Sequence, residues 1–320
     1  MLHEAFWLTS TDAPPLYVNR WHAEQPPKAV LMVAHGMAEH SGRYARLAEA
    51  LTGAGFDVYA HDQRGHGKSA EHGLLGQYAE RDGWSLVVND LARLNHHIRQ
   101  QHPQAPIFLL GHSMGSYISQ AYLMQHSSSL QGAILSGSNY QPMALYRIAQ
   151  LMARFERWRQ GPQGRSALLE FASFGSFNKR FKPNRTEFDW LSRDPDEVDK
   201  YVNDPLCGFR CVNQLWIDLL GGLQQITPVE NLAQIDSQLP LLVIGGECDP
   251  VSDGKRQRDL AEALRRAGNQ RVHLQLYPEA RHELLNERNR DEVTAFLIDW
   301  LHQALSQPRQ PHPKTQESHP

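Results

Sequence analysis

The pentapeptide Gly111-His112-Ser113-Met114-Gly115 lies between two segments with different periodicities. Before it, residues 106–110 form a continuous apolar run typical of a buried strand, and after it residues 117–124 have the spacing of a helix that faces a core. A G-x-S-x-G sequence at a strand-to-helix turn is the context of a nucleophile elbow, in which a sharp turn exposes the serine hydroxyl. The two glycines leave room where side chains would collide with the neighbouring strand and helix. The sequence therefore predicts that Ser113 is a nucleophile.

An acid and a base follow Ser113 in the order that such a nucleophile needs. Asp249 comes directly after the apolar segment 239–246, and His282 follows the alternating segment 271–277. A histidine can take the serine proton, and a buried carboxylate holds the imidazole tautomer; the chain order Ser, Asp, His is that of the α/β-hydrolases. Glu247 and Asp253 are alternatives for the acid. Asp249 is favoured because the turn directly after a strand is the most rigid position.

The loop after an earlier predicted strand, residues 29–34, supplies candidates for an oxyanion hole. It reads His35-Gly36-Met37-Ala38-Glu39-His40. In this architecture one donor is the N–H of the residue after the nucleophile, here Met114, and the second N–H comes from this loop, for which we favour Met37. Each such donor is worth about 3 kcal/mol of transition-state stabilisation.

Strand and helix patterns alternate along most of the chain. The predicted strands are 4–9, 16–21, 29–34, 56–60, 107–110, 133–136, 241–244 and 272–277, and the predicted helices of the core are 43–54, 84–101, 113–125, 254–267 and 291–305. Such alternation favours a mostly parallel sheet with helices on both faces, and the first two strands read as a hairpin. The predicted fold class is α/β, an α/β-hydrolase fold with an eight-stranded sheet.

The alternation breaks after the sixth predicted strand, where about 90 residues contain no convincing strand. We predict a helical cap over 139–228, inserted into a discontinuous core of 1–138 and 229–305. Residues 306–320 are rich in Pro, Gln and His and are predicted to be disordered. The apolar residues Met143, Ile148, Leu151, Met152 and Phe155 are predicted either to pack the cap onto the core or to line an acyl-chain channel.

Composition excludes several classes of function. A net charge of −3 argues against a nucleic-acid partner, and no apolar run is long enough for a membrane-spanning helix. Three cysteines and an N-terminus without a signal-peptide pattern favour a cytoplasmic location, with transient contact at the inner membrane surface through the cap. The segment 35–40 is one residue longer than an inverted zinc signature, so no metal is expected there.

Four motifs carry a resemblance to a known family: HGMAEHSGRY over 35–44, DQRGHGKS over 62–69, GHSMG over 111–115 and RHELLNE over 281–287. Together they resemble the monoacylglycerol-lipase and bacterial lysophospholipase family of α/β-hydrolases. The resemblance implies a catalytic triad of Ser113, Asp249 and His282 with oxyanion donors at Met37 and Met114. It also implies hydrolysis of a single-chain lipid ester, a monoacylglycerol or lysophospholipid, without a metal or organic cofactor. Gln63 departs from the family, where relatives often carry His.

Two other functions remain open from the residues alone. The same core supports a broad carboxylesterase or an aminopeptidase-like amidase, since fold and triad do not fix the leaving group. An aminopeptidase would need an acidic pocket for the substrate amine, which Glu39, Glu187 and Asp189 could supply if the fold brings them together. A non-catalytic ligand-binding receptor is disfavoured, because the predicted triad and oxyanion loop are intact.

Overall fold

A single eight-stranded sheet organises the protein. The computed structural model describes residues 2–307. Its strands are β1 (Leu2–Leu8), β2 (Leu16–His22), β3 (Ala29–Ala34), β4 (Phe56–His61), β5 (Ile107–His112), β6 (Gly132–Ser136), β7 (Leu241–Gly246) and β8 (Val272–Tyr277). Their order is β1-β2-β4-β3-β5-β6-β7-β8; β2 pairs antiparallel with both β1 and β4, and the remaining neighbours pair in parallel. The predicted mostly parallel sheet is confirmed.

Helices cover both faces of the sheet. Within residues 2–307 they are α1 (Ala45–Gly53), α2 (Gly83–Gln101), α3 (Met114–His126), α4 (Met143–Gln160), α5 (Ala167–Phe174), α6 (Pro195–Asn203), α7 (Asn213–Ile226), α8 (Val229–Leu232), α9 (Lys255–Arg266) and α10 (Arg290–Ser306). Helices α1 and α10 pack on one face, and α2, α3 and α9 pack on the other. Every residue of β3, β4, β5, β6 and β7 is buried, as expected for parallel strands covered on both sides.

The segment between β6 and β7 holds five helices and no strand. In this segment α7 packs against α2, α3 and α4, so its apolar side chains extend the core of the sheet. We propose that residues 139–228 form the cap and that 1–138 with 229–305 form the core. Helix α10 includes Ser306, the first residue of the predicted tail, and residues 308–320 lie outside the described part of the chain.

The expectation for the apolar residues of α4 is confirmed for Met152, which packs against the core, and wrong for three of the others. Ile148, Leu151 and Phe155 on α4 are 66%, 64% and 53% exposed, so they neither pack against the core nor line the cavity described below. The buried side of α4 instead carries Tyr146 and Ala153. In the part of the chain that the structure describes, none of the helices is both long and apolar enough to cross a membrane.

Candidate active site

Ser113 occupies a strained turn between β5 and α3. Its backbone has φ 50° and ψ −120°, a conformation that non-glycine residues rarely adopt. The turn is held by the Ser113 N–H, which donates to the Ser136 carbonyl oxygen at 2.9 Å. A Cβ at Gly115 would overlap the backbone of Ala34 and His35, so the close approach of α3 to β3 requires glycine there. This geometry is that of a nucleophile elbow, and it presents a partly exposed serine among buried neighbours.

Asp249 and His282 meet at the carboxyl edge of the sheet. Asp249 is fully buried in the turn after β7, and its Oδ1 lies 3.1 Å from Nδ1 of His282. The carboxylate also accepts from the Val251 N–H at 2.9 Å and from the Ser252 hydroxyl at 3.1 Å, which fixes its orientation. A carboxylate held in this way keeps the proton of His282 on Nδ1 and leaves Nε2 free to act as a base.

The two alternative acids lie elsewhere. Glu247 pairs with Arg258 at 2.8 Å, and Asp253 pairs with Arg180 on the surface. Neither carboxylate contacts His282 among the described residues. The geometry therefore favours Asp249 as the partner of the histidine.

The electrostatics of His282 suit a general base. Burial opposes the charged imidazolium, but the charge of Asp249 and its hydrogen bond outweigh burial and raise the pKa of His282 above its ordinary value. The ring is flanked by Trp190 and His112, with centroids 5.2 Å and 4.8 Å away. Burial and the neighbouring His282 lower the pKa of His112 to about 4, so this second histidine is neutral near pH 7.

The loop after β3 lies beside Ser113. A Cβ at Gly36 would lie 3.3 Å from the Cβ of Ser113, which shows how closely this loop approaches the serine. Met37 lines the same cavity as Ser113, and Met114 is the first residue of α3. Within residues 2–307, the backbone N–H groups of Met37 and Met114 donate to no protein acceptor. These two groups are thus available to bind a substrate oxygen.

His35 joins the oxyanion loop to the loop after β4. Its Nε2 accepts from the Gln63 N–H at 2.9 Å, and its Nδ1 lies 2.7 Å from the Gly36 carbonyl oxygen. Burial lowers the pKa of His35 to about 4, so the ring is neutral and can accept at one nitrogen while donating at the other. Gln63, the departure from the family pattern, returns a hydrogen bond to the His35 carbonyl oxygen.

A buried ion cluster that sequence reasoning missed ties the oxyanion loop to the histidine loop. Glu39 accepts from the Gly36 N–H at 2.5 Å and pairs with Arg43 at 2.8 Å. Arg43 makes a bidentate pair with Glu283, directly after His282, at 2.7 Å for both bonds. Burial opposes the charge of Glu39, but the Arg43 guanidinium holds its pKa at about 2. The i,i+4 spacing of Glu39 and Arg43 is a signal that could have indicated their ion pair, but no local pattern links either residue to Glu283.

A cavity of about 620 Å³ opens between the cap and the carboxyl edge of the sheet. Ser113 and His282 lie in its wall together with Gly36 and Met37. Aromatic side chains make up much of the remaining wall: Phe171, Phe174, Phe188, Trp190, Phe209 and Trp216. The wall also carries charged residues, among them Glu170, Glu187 and Arg210. A concave cavity rich in aromatic side chains, with polar groups at fixed positions, is the usual form of a small-molecule site.

Comparisons with known proteins agree with this fold. A family model described as serine aminopeptidase, S33, matches residues 25–289. The chain is 30% identical to the monoglyceride lipase of Mus musculus over 91% of this chain and 86% of that protein. It is also 30% identical to the monoacylglycerol lipase of Mycolicibacterium smegmatis, over 88% of this chain and 92% of that protein.

Among solved structures, a thermostable carboxyl esterase from Bacillus coagulans in complex with glycerol superposes with a TM-score of 0.87 and 27% identity. The superposition covers 95% of this chain and 99% of the esterase. The resemblance inferred from the four motifs is therefore confirmed over almost the whole described chain.

Proposed function

The chain belongs to the serine aminopeptidase, S33, family of α/β-hydrolases, and we propose that it is a serine hydrolase that cleaves the carboxylic ester of a single-chain lipid. A monoacylglycerol is the first candidate, since monoacylglycerol lipases are 30% identical to this chain, and a lysophospholipid is the second. The observation that carries the proposal is the capped, aromatic-lined cavity of about 620 Å³ that meets Ser113 and His282. Such a wall suits an acyl chain and leaves the ester at the polar end.

In the proposed reaction, His282 accepts the proton of Ser113 as the serine oxygen attacks the ester carbonyl carbon. The N–H groups of Met37 and Met114 stabilise the developing oxyanion. His282 then donates the proton to the leaving alcohol, which leaves an acyl-enzyme on Ser113. Water, deprotonated by the same histidine, attacks the acyl-enzyme and releases the fatty acid. Asp249 orients the imidazole and stabilises its charged form through both steps.

Amide cleavage at a free N-terminus is a weaker alternative. It would require an unpaired carboxylate in the cavity to bind the substrate amine. Glu39 lines the cavity, but its charge is already neutralised by Arg43. Asp189 lies outside the cavity wall, and its carboxylate accepts hydrogen bonds from the backbone N–H groups of Arg185 and Thr186. Glu187, the remaining member of the predicted acidic set, lines the cavity but is exposed to solvent, which weakens its attraction for a substrate amine.

We further propose that the cap docks on an anionic membrane surface from which the substrate enters. Exposed apolar side chains follow one side of α4 at helical spacing: Leu145, Ile148, Leu151, Phe155 and Trp158. Exposed Arg147, Arg154 and Arg157 lie on the same helix and would complement anionic headgroups. Phe171 on α5 is exposed and also lines the cavity, so it presents an apolar side chain both to the outside and to the site. We also propose a cytoplasmic location, which the three unpaired cysteines favour.

The proposal is tested by measuring fatty-acid release from monoacylglycerol, lysophosphatidylcholine and triacylglycerol of one chain length, a short-chain ester and an aminoacyl amide. We expect hydrolysis of a single-chain lipid, and a loss of about 10⁴-fold or more in kcat/KM for Ser113→Ala. Ser306→Ala, at the exposed end of α10, is the matched control and should retain full activity. Ester hydrolysis that survives in Ser113→Ala would rule out the mechanism. Preference for the aminoacyl amide would show that the substrate is an amide rather than a lipid ester.

A further inference from the structure

Three side chains with metal-binding atoms converge beside the oxyanion loop. His40 lies at the end of that loop, whereas Asp204 and Cys207 lie in the cap directly after α6. Their ligand atoms all lie within 4.8 Å of one another, and His40 Nε2 is 2.9 Å from Asp204 Oδ2. All three residues are partly exposed, so an ion in solution can reach them. The cluster lies outside the wall of the catalytic cavity.

We propose that His40, Asp204 and Cys207 form a binding site for a borderline-soft divalent transition-metal ion of the zinc class. Imidazole nitrogen, carboxylate oxygen and thiolate sulfur are the three donor types that zinc combines in proteins. A thiolate disfavours magnesium and calcium, which take oxygen ligands. Three protein ligands with a partly exposed fourth position would leave room for one water molecule.

The charges around the cluster favour a dication. Arg43 is the nearby cation, but Glu39 and Glu283 pair with it and more than neutralise its charge. Asp204 adds a carboxylate, and a bound thiolate adds a further negative charge. An ion in this position would therefore enter a field of net negative sign.

Binding must move two protons. In the absence of metal, burial raises the pKa of Cys207 well above its ordinary value, so the thiol is neutral. Formation of the metal–sulfur bond releases that proton to solvent. His40 Nδ1 accepts from the Gly42 N–H at a long 3.2 Å, which places the ring proton on Nε2. Coordination through Nε2 transfers that proton to Nδ1 and breaks this weak bond.

The cluster is mechanically connected to the proposed oxyanion hole. The N–H of Gly208, next to Cys207, donates to the Ala38 carbonyl oxygen at 2.9 Å, and the Tyr201 hydroxyl donates to the same oxygen at 3.0 Å. Ala38 follows Met37 and has a φ of 53°, a left-handed conformation that costs energy for alanine. An ion that joins His40 to the cap would therefore fix the cap against this loop. The metal site itself does not depend on the proposed lipid-ester activity.

The test uses the full chain after chelator treatment, with Zn²⁺ in calorimetry and Co²⁺ in absorption spectroscopy. We expect one equivalent of Zn²⁺ to bind with release of protons, and Co²⁺ to give a thiolate-to-metal charge-transfer band. Cys207→Ala and Asp204→Asn should each weaken Zn²⁺ binding by about 100-fold or more, beyond the 10–100-fold typical of losing an outer partner. Cys248→Ala removes an exposed thiol elsewhere and is the matched control that should bind normally.

Metal-free thermal unfolding checks that each variant is folded, and Asp204→Asn keeps the carbonyl oxygen that accepts from the Leu206 N–H at 2.8 Å. A Co²⁺ spectrum without a thiolate band would overturn the site. Unchanged Zn²⁺ affinity in both folded variants would do the same, since the ion would then be bound elsewhere, for example at His282.

Discussion

Asp249 determines the protonation of His282 through charge and hydrogen bonding rather than through burial. The buried environment alone would favour the neutral imidazole, as it does for His112 and His35, whose pKa values lie at about 4. Only His282 of these three donates a hydrogen bond to a fully buried carboxylate, that of Asp249 at 3.1 Å, and only its pKa is raised. The same fold thus holds two histidines neutral and prepares one to carry a proton.

The pH dependence of hydrolysis follows from this arrangement. His282 must be neutral to accept the serine proton, so kcat/KM should fall as the pH drops through its raised pKa, above the ordinary value of 6.5. Asp249→Asn removes the charge that raises this pKa, so the acid limb should move to lower pH while the plateau falls by about 10⁴-fold. The measurement is the pH profile of kcat/KM with a short-chain ester.

Glu247→Gln and Asp253→Asn are matched controls, because both carboxylates lie in the same loop and pair with surface arginines. Both variants should retain the plateau and the position of the acid limb. If the acid limb shifted in either control and not in Asp249→Asn, Asp249 would not be the acid that acts on His282.

At the scale of single residues, Ser113, Asp249 and His282 could be predicted as nucleophile, acid and base because each follows a recognisable strand, and the structure brings Asp249 and His282 into contact. It could not locate Glu283 as the partner of Arg43, since the two lie 240 positions apart. It also could not place Trp190 against His282, because the path of the cap over the sheet depends on tertiary packing. Candidate functional residues at strand ends can thus be predicted from the local sequence pattern. Contacts between side chains that are distant in the sequence cannot.

At the scale of elements, the ends of strands were the least predictable part. Strand β5 extends through Gly111-His112 and β7 through Gly245-Gly246, two residues beyond the predicted ends at 110 and 244. Parallel pairing continues there because Gly111 pairs with Leu135 and Gly246 pairs with Tyr277. The predicted helix over 43–54 is instead a 3-10 turn (Ser41–Tyr44) followed by α1.

Helix α4 shows why periodicity alone misassigns a face. Its apolar residues Ile148, Leu151 and Phe155 share one side of the helix. The hydrophobic pattern alone predicts that this side faces the core. The buried side in fact carries Glu156, whose carboxylate accepts from the Ser166 hydroxyl at 2.5 Å and pairs with Arg159 at 2.7 Å. A pattern identifies two faces, but their environment decides which of them is covered.

The contact between α7 and α2 depends on a glycine. A Cβ at Gly222 would overlap the indole of Trp84, so Gly222→Ala should force the two helices apart. Overpacking of this kind costs about 1–3 kcal/mol, which should lower the melting temperature. Gly221→Ala is the matched control, because its Cβ would meet only the end of the flexible Gln150 side chain, at 2.9 Å. Since alanine favours a helix by up to about 1 kcal/mol over glycine, this control should unfold at the same or a higher temperature. Equal melting temperatures for the two variants would contradict the packing argument.

At the scale of the whole molecule, the cap carries two surfaces with different chemistry. Its inner surface is the aromatic wall of the cavity, and its outer surface is the exposed apolar side of α4. Exposed apolar side chains in such a continuous patch are unusual on a monomeric protein and mark a surface that contacts something else. Phe171 on α5 is both exposed and part of the cavity wall, so it provides an apolar contact at the entrance to the site.

This arrangement predicts that membrane binding and chemistry can be separated. The double variant Ile148→Gln/Leu151→Gln removes two of the most exposed apolar side chains of α4 without touching the cavity wall. It should partition about 10- to 100-fold more weakly onto anionic vesicles, since each lost aliphatic contact is worth about 1 kcal/mol or more. Hydrolysis of vesicle-embedded monoacylglycerol should fall accordingly, whereas kcat/KM for a soluble short-chain ester should not change.

Leu2→Gln, at an equally exposed apolar residue of edge strand β1, is the matched control and should leave vesicle binding intact. Binding of the unmodified protein should weaken as salt screens the arginines of α4. Equal vesicle binding by the double variant would show that another surface meets the lipid. An equal loss of kcat/KM for the soluble ester would show that these side chains affect the active site rather than membrane binding, because the soluble substrate needs no membrane.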